Sequence, residues 1–171
     1  MSEEEFHRLR MQFIIQWGTF GSVWGINRTM AQIHALLMIA VEPMHTNEIM
    51  EALKISRGNA NTNLRDLVGW ELVQRIVYPG DRKEYFEAEK DVWTMFCTIS
   101  RERKRREIDP ALKLLRESSS KALDPKDPAQ SLFTKQLTEL ADFVASADKI
   151  LSRIARSDKN KVMPFLLKRF S

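Results

Sequence analysis

The chain has 171 residues, 43% of them hydrophobic and 29% charged, with a formal net charge of +4. That is the profile of an ordinary globular protein, long enough for one compact domain, or one domain with an extension, around a genuine core. A single cysteine, Cys97, excludes an intramolecular disulfide and fits a reducing compartment. The scarcity of Gly and Pro favours a mostly helical fold, and the mild basic excess permits an anionic partner without demanding one. The opening "MSEEEFHRLR" lacks the apolar centre of a signal peptide, and "ALLMIAV" (35–41) is far short of a membrane span. The expectation is a cytoplasmic protein without membrane association.

In chain order, a first helix is expected from Ser2 to Gly18, with Phe6, Leu9, Phe13 and Trp17 on one apolar stripe. "GTFGSVWG" should break it; its spacing fits neither standard phosphate loop, so a close-packed helix turn is the better reading. A second helix begins at the N-cap Asn27, turns Met30, Ile33, Leu37 and Val41 inward, and stops at Pro43. Thr46 reads as the N-cap of a short third helix burying Ile49, Met50 and Leu53. Ser56 caps a fourth, which reaches Gly69. Short helix, tight turn and second helix outline a helix-turn-helix. Next, "LVQRIV" and "EYFEA" flank the turn "PGDR", a β-hairpin placed to be a wing.

From Asp91 the chain is helical again, with Pro110 kinking or ending that helix and "DPKDP" (124–128) a clear break. Beyond it Phe133, Leu137, Leu140, Val144, Ala147, Leu151 and Ile154 recur in steps of four and three. A seam this strict points to pairing with another helix; the plainer alternative is an amphipathic helix on its own core. The closing "KVMPFLLKRFS" carries enough apolar side chains to dock on a dimer or on the first helix. The expected organisation is an N-terminal dimerisation helix (1–22), a winged helix-turn-helix (23–90) and a helical dimerisation region (91–171).

On a helical wheel Ala60, Leu64, Leu67 and Val68 gather on one side of 56–69. Gly58, Thr62, Arg65 and Asp66, flanked by Asn59 and Asn61, gather on the other. Asn pairs bidentately with adenine and Arg with guanine, while Thr meets a base or a thymine methyl. Gly58 allows close approach to a sugar-phosphate chain, and the free amides of the first turn favour a phosphate. The candidate DNA-binding residues are therefore Ser56, Arg57, Gly58, Asn59, Asn61, Thr62 and Arg65, with Arg82 and Lys83 on the wing tip.

The stretch "SRGNANTNLRDLVGWELVQRIVYPGDRKEYFEAE" resembles the helix-turn-helix and wing of the multiple-antibiotic-resistance (MarR) superfamily of regulators. Within it the resemblance is to the glycine-betaine-synthesis-regulator (GbsR)-like branch. The matching motifs are Ser56–Asn59, Asn63–Arg65, Trp70–Val73 and Pro79–Lys83, and "WGINRTMAQIHALLMIA" is similar to that branch's lead-in segment. Glu71 stands where the branch has glycine, so Gly69 is expected to supply the left-handed residue at the helix end. The resemblance implies a homodimer with interlocked N- and C-terminal helices on a pseudo-palindromic operator, its recognition helices about 34 Å apart. It also implies a repressor released by a small molecule, with choline or betaine as candidate effectors.

Trp17, Phe20, Trp24, Trp93 and Phe96 are the aromatic residues from which a cage for a quaternary ammonium effector would be built, although aromatics at helical spacing are more often core. Cys97 reads as a buried, unreactive thiol rather than an oxidation sensor, and "RERKRR" (101–106) as a solvated surface with ion pairs. His7, His34 and His45 lack metal-ligand spacing, and no nucleophile–base pair stands out, so neither an enzyme, a metal nor a cofactor is expected. The alternative function is a winged-helix protein-interaction adaptor without specific DNA binding.

Overall fold

The computed structural model describes residues 1–121 and 123–155. The chain divides into two compact units, Met1–Met95 and a second beginning at Phe96. It is mostly helical, with a small three-stranded antiparallel sheet in the order β1-β3-β2.

In the first unit α1 spans Glu3–Val23, opened by a capping box between Ser2 and Glu5. The glycine-rich segment does not break it. Gly18 and Gly21 stay inside the helix because α2, Arg28–Ile39, crosses them at backbone distance. A Cβ at Gly18 would lie 2.5 Å from Gln32 Cγ, and one at Gly21 2.5 Å from Ala31 Cβ. Phe13 and Trp17 are half-buried, but Phe6 and Leu9 stay exposed. With 12 residues against 21, α2 runs out beside them.

Asn27 caps α2 as expected, its Oδ1 accepting from Thr29 N at 2.9 Å and Met30 N at 3.2 Å. Ile33 and Leu37 are buried, whereas Val41 is 91% exposed. Its inward placement fails because Ala40 turns extended and Val41 lies beyond the helix. The N-cap of α3, Thr46–Leu53, is His45 rather than Thr46: its Nδ1 accepts from Asn47 N at 3.3 Å, and Glu48 reaches back to His45 N at 2.6 Å. Ile49 is fully buried, but Met50 and Leu53 only half so. Met44–His45 also form β1, a two-residue strand on β3.

Ser56 caps α4, Arg57–Gly69. The left-handed residue ending α4 is not Gly69, which remains helical, but Glu71 itself, at φ +59°. Glu71 N donates to Val68 O and Leu72 N to Leu67 O, a Schellman closure that lets Leu72 fold back into the core. The same closure ends α3 at Lys54 (φ +52°) and α1 at Gly25 (φ +75°). Strands β2, Val73–Val77, and β3, Glu84–Ala88, pair antiparallel from Val73↔Ala88 to Val77↔Glu84 around Gly80. Their hairpin is the wing of a winged helix-turn-helix. Its root is held by Lys90, whose Nζ donates to the carbonyls of Leu37 (2.8 Å), Met38 (3.1 Å) and Ala40 (2.6 Å) at the end of α2.

Helix α5, Val92–Arg103, carries the chain into the second unit, where a π turn, Lys104–Ile108, leads into α6, Asp109–Ser119. Pro110 does not end the helical path. The π turn absorbs the missing N–H and the ring's clash with the preceding turn, placing Pro110 in the first turn of α6. Lys104 Nζ ties the π turn to Asp109 (2.7 Å) and to Asp148 of α7 (2.8 Å). Helix α7 spans Pro128–Ala155, and Asp127 Oδ1 accepts from the amides of Ala129 and Gln130 at its start. The face that packs on α6 centres on Ala141, beside the heptad seam rather than on it. Phe133 and Leu140 remain about half exposed, while Leu137, Val144 and Ala147 are half-buried. The side chains of Leu151 and Ile154, and the closing segment 161–171, lie outside the described residues. Among the described residues, no helix is long and apolar enough to cross a membrane.

Candidate nucleic-acid interface

Helix α4 tolerates its poor helix formers because its inner face is well anchored: Ala60, Leu64 and Leu67 are at most 2% exposed. Each fully buried leucine contributes roughly 1.5–3 kcal/mol, several times the propensity cost of one asparagine. Gly58, Asn59, Asn61, Thr62 and Arg65 are all exposed, as expected. Asn61, Thr62 and Arg65 engage no described residue, so their polar groups face outward unused. A Cβ at Gly58 would meet nothing within 4 Å, so no internal contact requires glycine there.

Ser56 and Arg57 are partly committed within the protein. Ser56 Oγ accepts from Asn59 N at 3.3 Å, the N-cap bond, and Arg57 Nη2 donates to Asn47 Oδ1 at 2.8 Å. Asn59 is also engaged: its Nδ2 lies 3.5 Å from Thr29 Oγ1, and its oxygens receive Asn63 Nδ2 at 2.7 and 2.8 Å. Asn47, Thr29 and Asn63 were not expected at this surface. Asn63 had a signal, a polar residue toward the apolar side of the wheel; the other two come close only through the tertiary packing of α2 and α3 on α4.

The wing presents Arg82 and Lys83, both exposed, on a turn organised by Asp81. Asp81 accepts from Lys83 N and from the Tyr85 hydroxyl, each at 2.9 Å. These bonds hold its carboxyl below the usual range and push the Tyr85 phenol up. Tyr85 meets Tyr78 edge-on at 5.1 Å and His45 at 5.8 Å, so one aromatic row links the hairpin to the start of α3. Arg75–Glu84 (2.8 Å) and Gln74–Glu87 (3.1 Å) bridge the strands.

Of the aromatic set, Trp17, Phe20 and Trp24 share one face of α1, yet Phe20 and Trp24 are 55% and 61% exposed. Trp93 is half-buried and Phe96 is 45% exposed. Cys97 is half-buried rather than buried, lying on α5 next to exposed Phe96. In the basic run, Arg105 pairs with Glu102 at 2.7 Å and Lys104 with the two aspartates, the ion-paired surface expected. Among the described residues no group of three or more His, Cys, Asp or Glu is arranged to hold a metal ion.

The fold is a winged helix-turn-helix with an outward polar face on α4, and comparison with known proteins finds relatives of the same build. Residues 24–84 match the model of the MarR family. The chain is 27% identical over 143 residues to the HTH-type transcriptional regulator MmpR5 of Mycobacterium tuberculosis (strain ATCC 25618 / H37Rv), covering 83% of this chain and 82% of that protein. It shares its fold with a crystal structure of a transcriptional regulator, at a TM-score of 0.65 and 23% identity, over 85% of this chain and 95% of the other.

Proposed function

We propose that the chain is a sequence-specific DNA-binding transcriptional regulator of the MarR superfamily, a repressor acting as a homodimer on a pseudo-palindromic operator. One observation carries the reading: Asn61, Thr62 and Arg65 stand unengaged on the outer face of a helix whose inner face is locked into the core. The family match over 24–84 and the regulator relative support it.

In this reading α4 enters the major groove. Arg65, Asn61, Asn59 and Thr62 meet base edges, while Ser56, Arg57 and Gly58 lie against the sugar-phosphate chain at the helix N-terminus. Arg82 and Lys83 carry the wing to the adjacent minor groove or its phosphates. The half-exposed seam of α7 and the uncovered Phe6 and Leu9 of α1 support helices that meet a second copy. The GbsR-like motifs lead to choline or betaine as effector, with the aromatic set of α1 and α5 completed across the dimer.

The test is selection from random duplexes, followed by a salt series on the tightest sequences. An inverted repeat with half-sites one turn apart, and affinity falling steeply with salt, is expected. Failure to enrich any sequence would sink the reading in favour of a protein-binding adaptor. Release of the selected operator by choline or betaine tests the effector.

A further inference from the structure

Asn63 differs from the other polar residues of α4 in being 3% exposed, toward the side that carries Ala60 and Leu67. A buried amide left unpaired is costly, so its contacts are informative. Its Nδ2 lies 2.8 Å from Asn59 O and 2.7 Å from Asn59 Oδ1. A backbone carbonyl can only accept, so the atom facing Asn59 is the nitrogen of Asn63. An amide nitrogen only donates, so the Asn59 atom it meets must be the carboxamide oxygen. The Asn59 nitrogen is thereby turned the other way, where Thr29 Oγ1 waits at 3.5 Å. Flipping Asn59 would set two N–H groups against each other.

We propose that Asn63 is a positioning residue for base recognition: from behind the recognition face it fixes the polarity of the Asn59 carboxamide, and so the order in which α4 offers an acceptor and a donor to a base pair. This rests on the DNA-binding reading above. Once held, the Asn59 carboxamide keeps one oxygen lone pair and one N–H for an outside partner. Adenine offers the complementary N6–H donor and N7 acceptor side by side. A carboxamide free to turn fits either order of donor and acceptor; one held by Asn63 fits a single order. A merely structural Asn63, satisfied by the carbonyl one turn back, would alter stability and overall affinity without touching base preference.

The experiment selects operators from random duplexes with the wild-type chain and with Asn59→Ala, which identifies the base position that Asn59 reads. Asn63→Leu, branched at Cγ in the same way but without polar atoms, and Asn63→Asp, whose carboxylate can only accept, are then selected in the same way, with thermal melting to establish folding. Asn63→Leu is expected to lose about tenfold in preference at that position alone, with the salt dependence unchanged. Asn63→Asp, which draws the Asn59 nitrogen inward, is expected to change the preferred base there. A folded Asn63→Leu with wild-type preference at that position, or with a uniform loss at every position, overturns the inference. Should Asn63→Leu not fold, Asn63→Ser gives the same two readings. An Asn59→Ala variant with unchanged preferences also overturns it. A wild-type chain that enriches no sequence overturns the regulator reading and this inference together, whereas an enriched operator indifferent to Asn63 overturns the inference alone.

Discussion

Arg57 Nη2 donates to Asn47 Oδ1 at 2.8 Å, joining the first turn of α4 to the first turn of α3. The pair is exposed, so it adds little to stability, but it orders a long side chain before any partner arrives. Ordering such a side chain on binding costs about 0.5–1.5 kcal/mol. Asn47→Ala should therefore weaken binding to the selected operator a few-fold at unchanged melting temperature, measured by fluorescence anisotropy. Unchanged affinity would remove Arg57 from the interface as a pre-oriented group.

Gly58 makes a sharper separation of fold from function. With open space where its Cβ would be, Gly58→Ala should stabilise the fold by up to about 1 kcal/mol through helix propensity. The same methyl should hinder approach to a sugar-phosphate chain. Denaturant titration and operator binding are expected to move in opposite directions, and a variant that gains stability without losing affinity would refute the close approach.

The two glycines of α1 are predicted to differ. At Gly18 the nearest atoms belong to the Gln32 side chain, which can swing away, with the Arg28 carbonyl oxygen next at 3.2 Å; at Gly21 the obstruction is the Cβ of Ala31 at 2.5 Å, which cannot. Gly21→Ala should cost about 1–3 kcal/mol by forcing α1 off α2, and Gly18→Ala markedly less. Equal losses in chemical denaturation would contradict the crossing described.

His34 gives the first unit a pH dependence. It is 4% exposed in α2, its Nε2 has no hydrogen-bond partner among the described residues, and burial pushes its pKa from 6.5 down to about 4. Above 6.5 the ring is neutral in both states and adds no pH dependence. Between 6.5 and about 4 the unfolded chain takes up a proton that the folded chain refuses, so stability falls as pH falls. The total is about 3 kcal/mol, and His34→Leu should flatten that part of the profile in urea titrations from pH 7 to 4.

Most of this architecture was legible because it rests on local chemistry. Asn27 and Ser56 cap helices whatever surrounds them, and Pro-Gly between two β-rich runs makes a hairpin. The errors arose where a distant element decided the outcome. Gly18 and Gly21 read as helix breakers because the sequence does not announce α2 passing over them. Glu71 accepts φ +59° because the closure onto Leu67 and the burial of Leu72 outweigh the strain on a non-glycine residue. The two-residue strand β1 is too short for any periodicity and exists only because β3 lies beside it. At the candidate site the exposed face of α4 followed from the wheel, but the hydrogen bonds of Asn47 and Thr29 needed three helices assembled. The heptad pattern of α7 is in the sequence, yet within one chain α6 takes the neighbouring stripe.

Lys90 sets the mechanics of the wing. With the carbonyls of Leu37, Met38 and Ala40 gripping its ammonium group, Glu89 N bonded to Leu72 O at 3.0 Å, and β1 paired to β3 as far as Tyr85, the hairpin is held along β3 and projects only at its turn. The part that projects past this support, Val77 to Glu84, behaves as a short beam. Deflection of such a beam grows steeply with distance from the clamp, so the compliant end is the one that carries Arg82 and Lys83. In the proposed complex these charges follow a groove of variable width while the base of the hairpin keeps its alignment.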